Sequence, residues 1–211
     1  MIVLSHRGYW KDTHEKNTPI AFKRSFELGF GTETDFRDLD GELVISHDMP
    51  RKGDCISAKE FFDIYSEIGK GLPLALNIKA DGLQQKLMDL LSEYSVTNYF
   101  VFDMSLPDSL QYIKYDIIAF TRQSEYELDP AFYDKAAGVW MDEFHGHWID
   151  EAKIKQHINA EKQVCIVSPD LHKRDYQAEW REYKEIDKKL DSEKLMICTD
   201  YPEEARLHFN E

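Results

Sequence analysis

Polar side chains of the kinds that bind phosphate and metal ions end several short apolar segments of this sequence. In chain order they are His6, Arg7, Glu33, Asp35, His47, Asp48, Asn77 and Lys79. In an α/β barrel the active site is built from the loops that follow the parallel strands, so residues that end successive strands converge on one mouth. The series therefore predicts one pocket that combines imidazole, carboxylate and cationic groups.

The carboxylates Glu33 and Asp35 are two residues apart in one predicted strand. Side chains alternate along a strand, so both point to the same side and can bind one hard cation through oxygen. Same-face carboxylates are also common on solvated strands. The position of this pair among the other strand ends is what favours a metal site.

The histidines His6 and His47 supply groups suited to acid and base catalysis near neutral pH. An unperturbed imidazole has a pKa of about 6.5, so one ring can activate an attacking hydroxyl while the other protonates a leaving oxygen. A metal ion and Arg7 would hold the phosphoryl oxygens. Together these groups are typical of metal-assisted phosphodiester cleavage, although each histidine taken alone also fits a structural, hydrogen-bonded role.

The segments that must position these groups alternate between short β-branched or aromatic runs and longer runs of helical period. This alternation is typical of βα units around a parallel sheet. An Asp40-Gly41 pair suits a reversal between the second and third predicted strands, so one of those two is an extra hairpin strand. The predicted strands are Ile2 to His6, Gly31 to Phe36, Leu43 to His47, Leu74 to Lys79, Tyr99 to Met104, Ile117 to Arg122, Gly138 to Phe144, Gln163 to Ser168 and Leu195 to Thr199.

Helical patterns lie between most of these strands, but the stretch from Arg122 to Gly138 is short and holds Pro130, which predicts an irregular connection. The helix predicted from Ser57 begins with the capping box Ser57-Ala58-Lys59-Glu60. The predicted helices are Pro19 to Gly29, Ser57 to Gly69, Gly82 to Tyr94, Leu106 to Ile113, Ile149 to Ala160, Arg174 to Leu190 and Glu203 to Phe209.

The fold class predicted from these elements is α/β, a compact (β/α)8 TIM barrel with a small extra hairpin near the second strand. At about 26 residues per unit, the 211 residues are near the lower limit for this fold. A doubly wound open sheet is the alternative, but Arg7-Gly8-Tyr9-Trp10 has one glycine where a phosphate-binding loop has several. We expect residues 1–211 to form a single domain.

Composition and charge exclude several classes of protein. A content of 42% hydrophobic and 31% charged residues is globular, and a net charge of -14 repels polyanions, so nucleic acid is not an expected partner. A divalent cation would still let such a protein bind a small anionic ester. No apolar run reaches the roughly 18 residues of a membrane span, so no stable membrane insertion is expected.

The amino-terminal residues lack the basic and apolar regions of a secretory leader, which predicts a cytoplasmic protein. Its three cysteines, Cys55, Cys165 and Cys198, are far apart and lie in or beside apolar stretches. They are predicted to be structural thiols, since cysteine is more often a small buried hydrophobe than a metal or redox ligand. The sequence leaves the oligomeric state open.

Several of these residues form motifs that resemble, in order and spacing, the glycerophosphodiester phosphodiesterase family. The resemblance is dense over the first fifty or so residues, thin in the middle of the chain, and returns near its end. The motifs are Ser5-His6-Arg7-Gly8, Asn17-Thr18 followed by Ala21-Phe22, Glu33-Thr34-Asp35, Asp40-Gly41, Val44-Ile45-Ser46-His47-Asp48 and Cys198-Thr199-Asp200-Tyr201-Pro202.

The resemblance implies a (β/α)8 barrel that hydrolyses glycerophosphodiesters to an alcohol and sn-glycerol 3-phosphate with Mg²⁺ or Ca²⁺. By position, His6 and His47 would be the catalytic pair, and Arg7 and Lys79 would contact the phosphate. The resemblance also implies that Glu33 and Asp35 are metal ligands, with Asn77 at the position of the third. The partner is then a small-molecule phosphodiester.

Two positions differ from the family pattern. Lys16 replaces the first residue of the usual Glu-Asn-Thr, and Asn77 replaces the carboxylate of the usual Glu-x-Lys. An amide keeps an oxygen ligand but removes one negative charge, which weakens a hard-cation site unless another acid compensates. The candidates for that acid, each at or just past a later strand end, are Asp103, Glu125 and Asp142.

Asn77 leaves two other hypotheses open beside the enzyme. The protein is a phosphoester-binding barrel without catalysis, or a phosphodiesterase for a different ester, such as a lysophospholipid or a sugar phosphodiester. Beyond the main series, His145 and His147 are a second candidate metal pair, although solvation suits them better, and His172 is a candidate for the pocket mouth.

Overall fold

The structure is a computed structural model that describes residues 1–210. Over these residues strands and helices alternate as the sequence predicts. The strands are β1 Ile2–His6, β2 Gly31–Leu39, β3 Glu42–Ile45, β4 Ile56–Ser57, β5 Leu74–Ile78, β6 Tyr99–Phe102, β7 Phe120–Gln123, β8 Gly138–Met141, β9 Gln163–Val167 and β10 Leu195–Thr199. The α-helices are α1 Pro19–Glu27, α2 Ala58–Ile64, α3 Gln84–Glu93, α4 Leu106–Lys114, α5 Glu151–Asn159, α6 Gln177–Leu190 and α7 Pro202–Asn210.

The chain forms two compact units. The first unit is Ser5–Ala119, and the second is Met1–Leu4 together with the residues from Phe120 onward. The expectation that residues 1–211 form one domain stays a prediction. Every residue of the predicted catalytic, substrate and metal sets belongs to the first unit, so that unit is described in more detail.

Strands β2, β5 and β6 of the first unit are parallel neighbours, in the order β2, β5, β6. Their register pairs Asp35 with Asn77, and Asn77 with Phe102. Paired residues of neighbouring strands point to the same face of the sheet, so Asp35 and Asn77 share a face. The carboxyl ends of these three strands therefore bring their polar residues to one edge.

The predicted hairpin is present. Strands β2 and β3 are antiparallel, and Leu39 pairs with Glu42 across the turn. Asp40 and Gly41 between them have φ of 52° and 83°, the left-handed values that a two-residue hairpin turn requires. Strand β4, which the sequence did not indicate, adds a short antiparallel pair to β3.

Aromatic packing fixes helices α1 and α2 against the sheet of the first unit. Phe22 on α1 and Phe61 on α2 are fully buried, and their ring centroids lie 4.8 Å apart. Phe26 contacts Tyr65 in the same way, at 5.6 Å. Such edge-to-face pairs add about 1 kcal/mol each to the burial of their area.

Helix α2 begins at the predicted cap, since the hydroxyl of Ser57 accepts a hydrogen bond from the backbone N–H of Glu60 at 3.1 Å. The predicted helix reached Gly69, and the structure continues it to that residue as a π-helical turn, Tyr65–Gly69. A Cβ at Gly69 would lie 2.7 Å from the Phe26 ring, so glycine permits this close approach.

The connection from β1 to α1 depends on Gly8. Its φ is 77°, and a Cβ there would lie 2.8 Å from the backbone and side chain of Ala21. Beyond the turn, the backbone N–H of Tyr9 donates to the carbonyl of Ala21 at 2.9 Å. Glycine thus allows the segment after Arg7 to lie directly against α1.

A buried hydroxyl cluster holds the end of β1 beside β2. The Ser5 hydroxyl contacts those of Ser25 at 2.7 Å and Thr32 at 2.8 Å, and all three residues are fully buried. Buried hydroxyls are costly unless they are paired, and these satisfy one another. The cluster therefore fixes the backbone immediately before His6 relative to the strand that carries Glu33.

In the second unit, strands β7, β8, β9 and β10 form parallel pairs in that order. No helix connects β7 to β8 within the described residues, as the sequence predicted. Helix α6 begins at Gln177 rather than at the predicted Arg174. Arg174 stays outside the helix because its guanidinium donates to the carbonyl of Glu143 at 2.9 Å and pairs with Glu179.

Cys165 and Cys198 are fully buried and Cys55 is half-buried, and none of the three forms a disulfide. Their predicted structural role is consistent with this burial. No helix among residues 1–210 is both long enough and apolar enough to cross a membrane.

Candidate functional site

The first unit brings the predicted carboxylates and Arg7 into direct contact. Glu33 and Asp35 are almost completely buried, at 1% and 0% exposure. The backbone N–H of Arg7 donates to Glu33 Oε2 at 3.1 Å, and Arg7 Nε lies 3.1 Å from Asp35 Oδ2. Arg7 thus contacts both buried carboxylates, Glu33 through its main chain and Asp35 through its side chain.

A third group, the amide of Asn17, fixes Asp35. Its Nδ2 donates to Asp35 Oδ2 at 2.8 Å, and its Oδ1 accepts from the Thr34 hydroxyl at 2.9 Å. Asn17 and Arg7 both have φ of 59°, a left-handed conformation that costs a non-glycine residue about 1 kcal/mol or more. Asn17 lies in one of the motifs recognised in the sequence, but its hydrogen bond to Asp35 was not predicted.

Burial raises the pKa of Glu33 well above its usual range, and the nearby charge of Asp35 raises it further. The cations of Arg7 and Lys79 and the backbone hydrogen bond from Arg7 act in the opposite direction but do not cancel the shift. Two buried carboxylates repel each other when both are ionised, so an added positive charge would stabilise the ionised pair.

Lys79 and Asp103 extend the polar cluster. Lys79 Nζ lies 3.5 Å from Asp35 Oδ1 and 4.0 Å from Asp103 Oδ2. Asn77 Nδ2 donates to the same Asp103 oxygen at 3.2 Å. Asn77 Oδ1 and Asp35 Oδ1 are buried and have no hydrogen-bond partner. Buried oxygens without donors are the ligands that a hard cation would use, so the donor set here fits Mg²⁺ or Ca²⁺.

The two predicted catalytic histidines have different surroundings. His6 is partly buried, with Nε2 4.0 Å from Glu33 Oε2. His47 is 44% exposed, and its Nδ1 lies 2.8 Å from Asp48 Oδ1. The His47 hydrogen bond lowers the pKa of Asp48. Since Asp48 engages Nδ1, the other ring nitrogen of His47 is the one left to exchange a proton with a bound ligand.

A cleft of about 420 Å³ opens at Arg7 and His47, whereas His6, Glu33, Asp35, Asn77 and Lys79 are not among its lining residues. It is lined by Arg7 and His47 together with Lys16, Asn17 and Ile56. A larger cleft of about 650 Å³ in the second unit contains none of the predicted site residues. The smaller cleft has room for a small ester, with cationic and imidazole groups on its wall.

The three acids considered as replacements for a carboxylate at position 77 have different partners. Asp103 contacts Asn77 and Lys79, as described above. Glu125 instead accepts backbone N–H groups, including those of Phe144 at 3.1 Å and His145 at 2.9 Å. The remaining candidate, Asp142, pairs with His172, with 2.5 Å between Oδ1 and Nε2. Of the three, Asp103 is the one in contact with Asn77.

A second acidic cluster lies in the second unit. Ligand atoms of Glu143, His147 and Glu179 lie within 4.8 Å of one another, as a metal site requires. Burial opposes the charged form of His147, yet Glu143 and Glu179 together with Glu182 raise its pKa above the usual value. Burial and the nearby Glu143 raise the pKa of Glu179 to about 7. Arg174 pairs with Glu179 Oε1, while Glu179 Oε2 is buried and accepts no hydrogen bond.

Hydrogen bonds also satisfy the most buried member of that cluster. Glu143 Oε1 accepts backbone N–H groups from Trp148 and Ile149, both at 2.8 Å, and Oε2 accepts the Tyr183 hydroxyl at 3.1 Å. His145, the other half of the predicted histidine pair, bonds to the Tyr126 hydroxyl instead. The candidate pairing of His145 with His147 stays a prediction, and His147 is the one of the two that belongs to this cluster.

No protein-family model matches this sequence, and no curated protein matches it. Solved structures do resemble it over its whole length. A protein from Galdieria sulphuraria, provisionally assigned as a glycerophosphodiester phosphodiesterase, is 20% identical, with a TM-score of 0.78 over 100% of this chain and 98% of that one. A phosphodiesterase from Oleispira antarctica, in complex with the product sn-glycerol-3-phosphate, is 16% identical, with a TM-score of 0.72 over 100% and 97%.

A more distant likeness is to a Ca²⁺-dependent phosphatidylinositol-specific phospholipase C from Streptomyces antibioticus. It is 11% identical, with a TM-score of 0.61 over 99% of this chain and 95% of that one. These likenesses confirm the predicted α/β fold of the TIM-barrel class, and the neighbours bear out the family resemblance drawn from the sequence. At such low identity the reaction itself must be argued from the residues.

Proposed function

We propose that this protein hydrolyses a glycerophosphodiester to an alcohol and glycerol 3-phosphate, with the help of a divalent metal ion. The observation that carries the proposal is the contact of Arg7 with both buried carboxylates, Glu33 and Asp35. His6 lies beside Glu33, and His47 lines the same cleft as Arg7. The glycerol 3-phosphate bound to the structural neighbour supports this substrate class.

Three residues would hold the metal ion: Glu33, Asp35 and Asn77. Their fit rests on the buried, unbonded oxygens of Asp35 and Asn77 and on the raised pKa of Glu33. When bound, Mg²⁺ or Ca²⁺ supplies a positive charge that stabilises negative charge on the phosphoryl oxygens. Carboxylate and amide oxygens are the ligands that these cations prefer.

The remaining groups bind the phosphate and move protons. Arg7 and Lys79 offer cationic donors to its oxygens, which Arg7 can do with two parallel hydrogen bonds. One of His6 and His47 takes a proton from the attacking water molecule, whose oxygen forms the new P–O bond, and the other gives a proton to the alcohol oxygen as its P–O bond breaks. Asp48 keeps the His47 ring in one orientation through Nδ1.

The test is to replace each histidine by alanine and measure hydrolysis of a panel of phosphodiesters. General acid and base groups contribute about 10² to 10⁴ in rate, so His6→Ala and His47→Ala should each lower kcat by about that factor. Thermal unfolding of both variants controls for the fold. The proposal fails if either folded variant retains the full rate.

A second candidate function follows from Asn77. With an amide where the family pattern has a carboxylate, the protein would bind glycerol 3-phosphate without turning over a diester. Replacing Asn77 by Glu distinguishes the two, since rising activity with tighter metal binding marks the site as a weakened catalyst. Binding of glycerol 3-phosphate with no metal-dependent turnover in either form would favour the binding function.

The reaction class does not determine which alcohol is released. The Ca²⁺-dependent phospholipase among the neighbours acts, by its name, on phosphatidylinositol, so related barrels accept different esters. A lysophospholipid and a sugar phosphodiester therefore belong in the substrate panel beside the glycerophosphodiesters. We expect a small phosphodiester because the cleft is about 420 Å³ and the net charge of -14 repels polyanions.

A further inference from the structure

The nitrogen and the oxygen of the Asn77 side-chain amide have different surroundings. Nδ2 donates to Asp103 Oδ2 at 3.2 Å, whereas Oδ1 is buried and accepts no hydrogen bond. The residue as a whole is 6% exposed. A buried amide oxygen without a donor costs about 1 to 3 kcal/mol, so the arrangement calls for a ligand on the oxygen side.

The orientation of an asparagine amide matters to a hard cation in a way that a carboxylate does not. A carboxylate presents oxygen on both sides, but an amide presents oxygen on one side and an NH₂ group, which repels a cation, on the other. Asp103 is a carboxylate, and in its ionised form it accepts hydrogen bonds but cannot donate them. Its contact therefore draws Nδ2 toward itself and directs Oδ1 to the opposite side.

Sheet register places Asn77 next to the proposed ligand Asp35. The two residues are paired across β5 and β2 and share a face. Asp35 Oδ1, like Asn77 Oδ1, is buried and accepts no hydrogen bond, although it forms an ion pair with Lys79 Nζ at 3.5 Å. Two such oxygens from paired residues on one face are a partial coordination set for a cation.

Asp103 also supplies charge and holds a backbone conformation that few residues adopt. It follows β6 directly and has a φ of 65°, which Asp and Asn tolerate better than most residues. The same Oδ2 lies 4.0 Å from Lys79 Nζ. One carboxylate oxygen thus contacts both the amide of Asn77 and the lysine proposed to bind phosphate.

We propose that Asp103 is a positioning residue that turns the Asn77 amide so that its oxygen faces the metal, and that it restores the negative charge Asn77 lacks. This inference rests on the proposed metal-dependent function, and it assigns to Asp103 a role that works through Asn77. Asp103 is thereby distinct from the ligands Glu33 and Asp35.

The test is a double-mutant cycle on metal affinity, measured by isothermal titration calorimetry of the purified chain with Mg²⁺ and with Ca²⁺. Asp103→Ala in the natural background removes the acceptor of the Asn77 amide and should weaken binding about tenfold or more, as loss of groups that orient metal ligands commonly does. In an Asn77→Asp background the same change should have less than about a twofold effect, because that carboxylate needs no orientation. Asn77→Glu serves as a second background if Asn77→Asp does not fold.

The control is Asp89→Ala, which removes an exposed carboxylate on α3 that bonds to Gln85 and should leave the affinity unchanged. The inference is overturned if Asp103→Ala binds metal as the natural protein does. An equal loss in both backgrounds also overturns it, since Asp103 would then be a ligand itself or a general structural support. Absence of metal binding by the natural chain overturns it as well.

Calorimetry needs no turnover, so the two proposals can fail separately. If metal-dependent hydrolysis is present but Asp103→Ala binds metal normally, the positioning role fails and the function stands. If Asp103→Ala loses affinity only in the natural background while no diester is hydrolysed, the positioning role stands and the function fails.

Discussion

Lys79, which we propose binds phosphate, forms ion pairs with two carboxylates of the site. Its ammonium group lies 3.5 Å from Asp35 and 4.0 Å from Asp103. Lys79→Ala should weaken binding of glycerol 3-phosphate about tenfold through loss of a charge-assisted hydrogen bond. Metal affinity should stay the same or rise, because a competing cation is removed from Asp35. Calorimetry with each ligand measures both effects.

The matched control for this prediction is Lys86→Ala. Lys86 is about half exposed and lies 4.0 Å from Glu42, outside the site. Its removal should change neither affinity. A parallel loss of metal and phosphate affinity in Lys79→Ala would show that Lys79 supports the structure instead of the ligand.

The raised pKa of Glu33 predicts how stability depends on pH. Folding shifts this pKa upward from its usual 4.5, mainly through burial and then through Asp35. The unfolded chain therefore releases the proton at lower pH than the folded chain, so stability falls as pH rises from about 4.5 through neutral pH. Saturating Mg²⁺ or Ca²⁺ should reduce this fall, because the cation stabilises the ionised pair.

Denaturant unfolding at several pH values, with metal and with chelator, measures this effect. Glu33→Gln, which carries no titrating group, is the control and should flatten the chelator curve. If the stabilisation by metal does not grow as pH rises, Glu33 is not coupled to a cation.

Residue types and spacing were enough to predict His6, Arg7, Glu33 and Asp35 as one site, because alternation along a strand fixes which side chains share a face. The contact of Asp103 with Asn77 depends on the register of β5 and β6, which the sequence does not state. Asp103 was consequently one of three equal candidates until the structure distinguished it.

At the scale of elements, the turn from β1 to α1 is the connection on which the site depends most. Gly8→Ala should destabilise the chain by about 2 kcal/mol or more, because its Cβ would meet Ala21 at 2.8 Å in a left-handed conformation. Chemical denaturation measures the loss. Metal affinity should also fall, since Arg7 and its contacts with both carboxylates precede this glycine directly.

Gly29→Ala is the matched control for Gly8→Ala. Gly29 has the same φ of 77°, but a Cβ there has no atom within 4 Å. It should cost only the backbone strain, about 1 kcal/mol. Equal losses at the two positions would refute the claim that close packing of α1 makes Gly8 necessary.

Most element positions followed from apolar periodicity and from turn residues, as the hairpin at Asp40-Gly41 and the cap at Ser57 illustrate. The misplaced start of α6 has a tertiary cause, because the contacts of Arg174 with Glu143 and Glu179 hold it outside the helix. The π-helical turn after α2 likewise ends at a tertiary contact, because Gly69 lies directly against the Phe26 ring. Neither contact can be recognised from the neighbouring residues in the sequence.

For the whole molecule, the net charge of -14 makes a prediction about partners. A protein of large negative net charge repels a phosphate backbone at long range. A fluorescein-labelled duplex DNA or RNA should therefore show no anisotropy change with micromolar protein at physiological salt. Saturable binding there would contradict the expectation that nucleic acid is not a partner.

The claim that this barrel is a metal-dependent glycerophosphodiesterase is tested most directly by following the release of glycerol 3-phosphate. Glycerophosphocholine, glycerophosphoethanolamine and glycerophosphoglycerol are the substrates, each with Mg²⁺, with Ca²⁺ or with excess chelator. We predict release from at least one diester with metal, its loss with chelator and its recovery when metal is restored. No release from any diester with either metal, by a protein shown to be folded, would contradict the account.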